Sequence, residues 1–188
     1  MNYPAHKKIE QIDLLACCKS STGGLLKVEI ASIEWINDTE DGFCEIIDND
    51  HNFPIPYTFP MEIDRDWITI PFLPMPSWTE NEVQDKQGCV YQQEIQGRIK
   101  ALNPKAALEL KKMKNHKWIV KVTDTSKRDN GAKYCWLIGN TRNPLKMNYQ
   151  MSTGANRADE KIYTIFFSGL TLCSATTYHE PDNGDPNG

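Results

Sequence analysis

The sequence predicts a mainly β protein, an antiparallel β-sandwich or barrel with one flanking α-helix at about residues 104–114 and long extended arms. Three observations carry this prediction. Several segments alternate apolar and polar residues with period two, as half-buried strands do. One segment alone has clear helix signals. Other extended pieces are interrupted by prolines, which cannot donate to the hydrogen bonds of a sheet. Strand-rich order with a lone helix is typical of a sandwich or barrel.

The 188 residues suffice for one substantial domain. We divide the chain into a flexible N-terminal arm (1–24), a single strand-rich domain (25–178) and a polar C-terminal tail (179–188). No apolar run approaches the ~18 residues that a membrane helix needs, and the N-terminus lacks an apolar core of signal-peptide length. We therefore expect a protein that is made in the cytoplasm and has no membrane partner.

The first strand signal covers residues 25–36, LLKVEIASIEWI. Its alternation slips by one position near Ala31 and Ser32. Because a one-residue slip moves every side chain to the opposite face, we expect a bulge or strand break there. The prolines in residues 53–60 and 66–78 predict edge strands or extended arms.

The longest alternation runs for about thirteen residues through GCVYQQEIQGRIKAL, and a strand of that length would extend roughly 45 Å. Gly97 is the position at which such a strand would bend or bulge. The helix follows: Asn103 suits the N-cap and Pro104 the first helical position. Leu110 and Met113 belong to its apolar stripe.

Residues 117–139 predict a hairpin, in which two apolar runs flank a polar loop. Both arms are apolar on nearly both faces, which indicates a central hairpin covered on each side. Asn130 and Gly131 supply the positive φ angles for the return. The loop places Lys127 and Arg128 at its tip without a convergence of ligand-type residues.

No catalytic motif is present: the chain has no P-loop, no G-x-G-x-x-G and no G-x-S-x-G elbow. We expect no enzyme, no cofactor and no metal. The six cysteines contain no C-x-x-C pair, and in a reducing compartment they are expected to be small buried hydrophobes. The five tryptophans favour core or interface packing over a ligand platform. Residues 37–48 have calcium-loop spacing, but Asn37 and Asp48 depart from the Asp and Glu expected at its ends, which favours a solvated turn.

Charge is unevenly distributed in a chain of net charge −4. Eleven acidic residues and one basic residue lie between Glu29 and Asp66, whereas eight basic residues and one acidic residue lie between Arg98 and Lys121. The pattern fits two solvated faces, or a positive surface on one copy that meets a negative surface on the next. The second arrangement is heterologous, so it closes into rings or continues as a filament. A nucleic-acid interpretation lacks interleaved aromatic residues and a helix-turn-helix partner.

On the self-complementary interpretation, we predict a subunit interface that includes basic and acidic residues from both stretches and from the hairpin tip. These are Lys127, Arg128, Arg98, Lys100, Lys111, Lys112, Lys114, Glu40, Asp41, Asp48 and Asp50. Flexible arms and a long strand cost conformational entropy to order, and a partner that adds strands to their edges would stabilise them.

Several motifs, taken in their order along the chain, resemble those of a family. They are Thr-Gly-Gly at 22–24, LLKVEIASIEWI, GCVYQQEIQGRI, ALELKKM, the WIVKVTD…NGAKYCWLIG hairpin, STG…D at 152–159 and YTIFFSG at 163–169. In this order they resemble small tail-tube (major tail) virion proteins of tailed bacteriophages and of prophages of gut bacteria. The resemblance covers most of residues 17–170. Residues 64–78 have no counterpart in it.

The resemblance implies a sandwich or barrel whose copies form a ring, typically of six, with inner strands joined into one continuous barrel. Rings would stack into the tube through which DNA passes as cargo. Its partners would be further copies of itself and other tail proteins, and its location the host cytoplasm during assembly and then the virion tail. This role needs no catalytic residue.

Three alternatives stay open on the sequence alone. A neck, tail-completion or baseplate protein of the virion would have a similar strand-rich build. A carbohydrate- or ligand-binding β-sandwich would present a concave strip of exposed tryptophans. A hydrolase would bring a histidine together with a cysteine or a carboxylate in a cleft, although no local signature supports one.

Overall fold

The computed structural model describes residues 24–36, 65–85, 88–100, 104–127, 133–153 and 161–178. These residues form antiparallel strands, one α-helix and a 3-10 turn at Ile33–Trp35. The elements are β1 Leu25–Ser32, β2 Ile68–Thr69, β3 Ser77–Asp85, β4 Gly88–Lys100, α1 Pro104–Met113, β5 Lys117–Lys127, β6 Lys133–Ile138, β7 Leu145–Ser152, β8 Ile162–Thr171 and β9 Thr176–Tyr178. The predicted mainly β class with one flanking helix is therefore confirmed. In these described ranges, no helix has the length and apolarity to cross a membrane.

The strands follow the order β2-β1-β5-β7-β8-β4-β3, with β6 beside β5 and β9 beside β6. One side of β5 pairs with β1. The other side pairs with β6 over much of its length and with β7 only at Lys117 and Trp118. The strands therefore divide into a first half-sheet (β2, β1, β5, β6, β9) and a second half-sheet (β7, β8, β4, β3).

The main core lies between the two half-sheets. Val28, Val120 and Ile138 of the first half-sheet belong to the same buried cluster as Ile95 and Phe167 of the second. The tryptophan rings of β3 and β6 also meet across it, with centroids 5.8 Å apart. Burial of these side chains from both inner faces is the main stabilising contribution, since apolar burial dominates folding.

The outer face of the first half-sheet carries a second buried cluster formed by Ala31, Ile119, Leu137 and Tyr178. Strand β5 is consequently buried on both faces, as the hairpin sequence predicted. The hairpin itself is confirmed by the β5–β6 ladder. Its predicted turn at Asn130 and Gly131 lies outside the described residues.

A buried ion pair lies on this same outer face. Lys121 is 3% exposed and Glu29 is 6% exposed. The Lys121 Nζ atom lies 3.0 Å from Glu29 Oε2, and it also lies 5.0 Å from the centroid of the Trp67 ring. Lys27 Nζ lies 2.7 Å from the other carboxylate oxygen, Glu29 Oε1. The carboxylate thus has two cationic neighbours, which offset the cost of burying its charge.

Several local predictions are confirmed. Strand β4 has thirteen residues. Strand β1 ends at Ser32, where the alternation slips, and Ser32 Oγ accepts a 3.4 Å hydrogen bond from Glu34 N in the following 3-10 turn. Helix α1 begins at Pro104 and buries Leu110. Trp118 Nε1 donates a 2.9 Å hydrogen bond to the carbonyl of Met113, the last helical residue.

The prediction of a bend or bulge at Gly97 is wrong. The β4–β8 register runs without a shift through Gly97, which lies opposite Ile165. A Cβ atom built at Gly97 would instead overlap the ring of Phe72. Glycine is required there because the Phe72 ring lies directly on the strand backbone as it packs against the main cluster.

Residues 70–76 connect the two half-sheets without forming a strand, and the chain bends at Leu73 and Pro74. Ile70 N donates to Val28 O of β1, and Leu73 N donates to Arg98 O of β4. The prediction of an edge strand within 66–78 is confirmed by the two-residue strand β2, whereas residues 70–76 form a bent connection rather than an extended arm. Residues 53–60, and the predicted arm and tail apart from Gly24, lie outside the described residues.

Candidate assembly surface

The second half-sheet is the candidate functional surface because, among the described residues, two of its strand edges lack a strand partner. Strand β3 ends the sheet. Strand β7 pairs with β5 only at Leu145 and Lys146, although it pairs with β8 along its length. From Met147 to Met151 the outer edge of β7 therefore has no strand partner within the described residues. Unpaired strand edges expose backbone groups that can pair with another chain.

One face of the second half-sheet is mainly polar, although Ile162, Phe166 and Leu170 of β8 also lie on it. It carries every second residue of β4 from Gln92 to Lys100, all of them polar, and residues that lie beside them on β3, β7 and β8. Each of these polar side chains is half-buried or exposed. They are Gln92, Glu94, Gln96, Arg98, Lys100, Thr79, Asn81, Asn148, Gln150, Ser152, Thr164 and Ser168. The opposite face supplies the core residues Ile95 and Phe167.

A polar network on the inner face fixes the position of edge strand β3. Gln93 is fully buried on β4, and its Oε1 accepts a 2.9 Å hydrogen bond from Trp78 Nε1. Gln93 Nε2 donates to Glu80 Oε2. Glu80 also accepts hydrogen bonds of 2.6 Å from Ser174 Oγ and of 2.7 Å from the Ala175 backbone N–H. This group, called the Glu80 network below, ties β3 and β4 to the segment that follows β8.

The charge of Glu80 is stabilised by these donors. Burial opposes ionisation and is the largest single effect, and it acts to raise the pKa. The hydrogen bonds from Ser174, Gln93 and Ala175 together outweigh it, so the pKa of the Glu80 carboxyl is below its ordinary value of 4.5. Donors that satisfy a carboxylate favour its charged form. The network therefore holds an ionised Glu80 at neutral pH.

The turn after β8 is closed locally and leaves little space. Thr171 Oγ1 lies 2.7 Å from the carbonyl of Cys173 and 3.3 Å from that of Tyr91. Beside this turn is a cavity of about 10 Å³, lined by Leu137, Gly139, Asn140, Thr171, Cys173, Ser174 and Thr176. Its volume corresponds to about one water molecule, far below that of a substrate pocket.

The predicted interface residues fall into three groups, of which the structure describes two. Arg98 and Lys100 lie on the polar face of β4, and Lys111, Lys112 and Lys114 lie at the C-terminal end of α1. All five are exposed, and Lys112 Nζ lies 3.0 Å from Glu109 Oε1. The structure thus places the described basic residues on two elements at the surface.

The remaining predicted residues lie beyond what the structure describes. They are the side chain of Lys127, together with Arg128, Glu40, Asp41, Asp48 and Asp50. The pairing of the basic and acidic stretches across copies consequently stays a prediction. The calcium-spaced segment 37–48 lies outside the described residues as well.

All five tryptophans pack against the buried clusters. Trp118 is 2% exposed and belongs to the main cluster, which Trp35, Trp78 and Trp136 also contact. Trp67 packs against the second cluster. These positions match the core-packing interpretation rather than the exposed strip that a carbohydrate-binding module would present.

The cysteine prediction is wrong in part. Cys89 is exposed, because the β3–β4 hairpin at that point extends past the end of β8, and Cys135 is half-buried. Cys173 takes part in a disulfide bond. A hydrogen bond with Glu82 is the main cause that raises the pKa of the Cys89 thiol. A raised pKa lowers the thiolate fraction, so this thiol is a poor nucleophile at neutral pH.

The described histidine does not form a catalytic arrangement with a cysteine. His116 Nδ1 lies 3.2 Å from Glu34 Oε2, and its ring lies 5.8 Å from the ring of Trp118. Among the residues whose positions are described, no group of three or more His, Cys, Asp or Glu side chains is arranged to hold a metal ion.

The Glu80 network was not foreseen from sequence. Only Gln93 pointed to it, because Gln93 is a polar residue on the same core-facing side of β4 as Ile95. A polar residue at a buried position requires hydrogen-bond partners. No local pattern identified those partners, since Ser174 lies 94 positions from Glu80.

Comparisons with known proteins give little further information. No protein-family model matches the chain, and no curated protein matches it. Among solved structures, the chain is similar to one from the cryo-EM structure of the anti-feeding prophage baseplate, 6-fold symmetrised. The similarity covers 84% of this chain and 95% of the other, with 11% sequence identity and a TM-score of 0.40. At this level the similarity assigns neither fold nor function to the present chain.

Proposed function

We propose that the protein is a structural subunit of a phage-type tail, most specifically a tail-tube protein whose copies join into rings through the edges of the second half-sheet. The observation that carries the proposal is the pair of open strand edges, β3 and the outer half of β7. The family resemblance in the sequence supports the same role. In this proposal the protein is not an enzyme and uses no cofactor.

The directions of the two edge strands suit head-to-tail pairing. Three antiparallel ladders separate β7 from β3, so these two strands run in opposite directions. If β3 of one copy pairs with β7 of the next, the joined sheet continues as an antiparallel ladder. Two different edges then meet at each contact, and a heterologous contact of this kind closes into a ring when the rotation permits.

The dimensions of such a ring fit a conduit. Six copies, the number that the resemblance implies, would contribute twenty-four strands. With about 4.8 Å between strands and a tilt of about 40°, the barrel would be roughly 50 Å across. Because the core covers the inner face of each half-sheet, the polar face with Gln92, Gln96 and Asn148 would line the channel. That lining would be mainly polar, with Phe166 and Leu170 as apolar side chains on the same face, and DNA would be cargo rather than a specific ligand.

Cysteine cross-linking tests the joined edges. One cysteine replaces Ser77, Thr79 or Asn81 on β3, and a second replaces Asn148, Gln150 or Ser152 on β7, in a Cys89→Ser background. Within one copy the two strands are three strand spacings apart, about 14 Å, which is too far for a disulfide. Oxidation should therefore produce covalent rings for the pairs in register. A cysteine at Thr69 on β2, combined with the same β7 positions, is the matched control and should not cross-link.

Microscopy and light scattering of the unmodified protein test the function as a whole. Rings or tubes at high protein concentration are expected. A protein that stays monomeric at high concentration and yields no cross-linked rings would contradict the proposal. Rings that never stack, even at high concentration, would favour a neck, tail-completion or baseplate role over the tube.

A further inference from the structure

The two edges of the second half-sheet match in the direction of their backbone groups. Trp78 of β3 and Met147 of β7 lie in one row across its four strands, with Ile95 and Phe167 between them. In an antiparallel sheet, a residue directs its N–H and C=O groups to one neighbouring strand, and this direction alternates from strand to strand along a row. After four strands, Trp78 and Met147 therefore either both direct these groups out of the half-sheet or both direct them into it. Two copies whose core-facing sides are aligned consequently also have matching hydrogen-bonding groups at their joint.

The matching leaves registers that differ by steps of two residues. In the joint, Met147 would face a residue of β3 that is displaced from Trp78 of its own row, namely Glu80, Glu82 or Gln84 of the next copy. This displacement sets the shear of the closed barrel, and the shear sets the strand tilt. A displacement of four residues, to Glu82, makes the shear equal to the number of strands, which corresponds to a tilt of about 36°. Displacements of two and six residues would give roughly 20° and 47°, outside the usual range of about 35–45°.

An exposed methionine selects the same register. Met151 lies on the core-facing side of β7, as Met147 does, and yet it is 57% exposed. When Met147 faces Glu82 of the next copy, Met151 faces Trp78, which packs against the main cluster. A displacement of six residues would instead place Met151 opposite the carboxylate of Glu80. Apolar contact across the joint therefore favours the displacement of four.

The segment before β3 supplies a second apolar side chain at this place. An unbroken β3–β4 ladder would bring Met75 opposite Arg98, but Leu73 N donates a 2.7 Å hydrogen bond to Arg98 O instead. The two extra residues loop out, and Leu73 is 63% and Met75 61% exposed. A Cβ atom built at Gly24, directly before β1, would lie 3.2 Å from Met75 Sδ. Met75 is therefore on the side of the first half-sheet, which is also the side of Met151.

We infer that neighbouring copies join in this one register, with Trp78 of one copy opposite Met151 of the next and with Met75 packed over Met151. This inference rests on the proposed function, since it specifies the contact by which its rings close. The occupant is a second copy, because one chain carries both edges with matching backbone groups and an exposed apolar side chain at each. Residues 64–78 have no counterpart in the family resemblance, so the contact made by Met75 belongs to this chain's own sequence.

Cysteine pairs on the polar face report the register directly. In the inferred register, Thr79 lies opposite Gln150 and Asn81 lies opposite Asn148, so these two pairs of cysteine substitutions should cross-link on mild oxidation in the Cys89→Ser background. A displacement of two residues would link position 79 with 148, and a displacement of six would link 81 with 150. All four combinations lie on one face and have the same type of ladder position, so their yields compare directly. A higher yield from either of the last two combinations would overturn the inference.

Met75→Glu tests the apolar contact, with Leu108→Glu as the matched control. Leu108 is 53% exposed on α1, so both substitutions place a carboxylate at an exposed apolar position outside the strands. Met75→Glu should raise the protein concentration needed for rings by about ten-fold, as expected for the loss of one apolar side chain from an interface. The control should assemble as the unmodified protein does. Sedimentation measures assembly, and an unchanged urea midpoint verifies folding. Assembly of Met75→Glu at the concentration of the control would overturn the role of Met75.

The two proposals fail in different ways. If the unmodified protein stays monomeric and no cysteine pair cross-links, the proposed function fails and the register fails with it. If rings form but cross-link best through positions 79 and 148 or through 81 and 150, the function stands and only the register is wrong. Equal yields from all four combinations would show a joint without a fixed register and would likewise overturn the inference.

Discussion

Ser174 Oγ donates a 2.6 Å hydrogen bond to Glu80 Oε1, although 94 positions separate the two residues in the chain. This contact joins the segment after β8 to the edge strand β3. It makes Glu80 the residue through which β3, β4 and the C-terminal part of the domain are held together. The Glu80 carboxylate therefore adds a side-chain tie to the backbone ladder that holds the proposed assembly edge against β4.

Glu80→Gln should lower the free energy of unfolding by about 1–3 kcal/mol, since it weakens charge-assisted hydrogen bonds in a partly buried network. Glu94→Gln is the matched control, because Glu94 lies on the polar outer face of the adjacent strand. Urea unfolding measures both, and the control should change stability little. Equal effects from the two substitutions would show that the network adds nothing to the stability of β3.

Acidification should remove the contribution of Glu80. Its folded-state pKa lies below the ordinary value of 4.5, so the stabilisation is fully present above about pH 4.5 and is lost as the pH falls through the folded-state pKa. The stability difference between the unmodified protein and Glu80→Gln should therefore be constant near neutrality and shrink in acid. Urea unfolding at a series of pH values checks this, and a difference that widens in acid would have the wrong sign.

Loss of Glu29 from the buried ion pair should lower the free energy of unfolding more than loss of Lys121. Glu29→Leu leaves the Lys121 ammonium, which is 3% exposed, without its carboxylate and should cost about 3–5 kcal/mol. Lys121→Met should cost less, because Lys27 still lies 2.7 Å from the carboxylate of Glu29. Thermal and urea unfolding of both variants test the order. A larger loss for Lys121→Met would contradict the role given to Lys27.

Gly97→Ala should destabilise the protein by about 1–3 kcal/mol, because the added methyl group would overlap the ring of Phe72. Adding Phe72→Leu should make the alanine less harmful than it is with Phe72 present. A double-mutant cycle measured by urea unfolding gives this coupling. If the two substitutions are simply additive, close packing of Phe72 is not the reason for glycine at this position.

Reversal of the hairpin tip, Lys127→Glu with Arg128→Glu, should weaken assembly and leave the fold of the single copy intact. Lys127 is the last residue of β5, and the sequence predicts that it and Arg128 contact a neighbouring copy. Sedimentation measures assembly, and the urea midpoint serves as the internal control for folding. Unchanged assembly would exclude the tip from the interface.

Local sequence determined much of the secondary structure. The thirteen-residue strand β4, the break after Ser32 and the start of α1 at Pro104 were all predicted correctly. Each depends on a signal that lies within a few residues, namely period-two alternation, a change of its phase, or a residue suited to a helix start. The β5–β6 hairpin was equally accessible, since its two apolar arms are close in sequence.

Tertiary structure alone decided which strands form edges, why Gly97 is glycine and what Glu80 binds. The sequence placed a bend at Gly97 because it could not show the ring of Phe72 against that backbone. It also treated Cys89 as buried, although the hairpin carries that residue past the end of β8. These features depend on contacts between residues far apart in the chain, whereas alternation reports only which side of its own strand a residue occupies. The sequence by itself therefore determined the strands and the helix. The order in which the strands pair determined the two strand edges on which the proposed assembly rests.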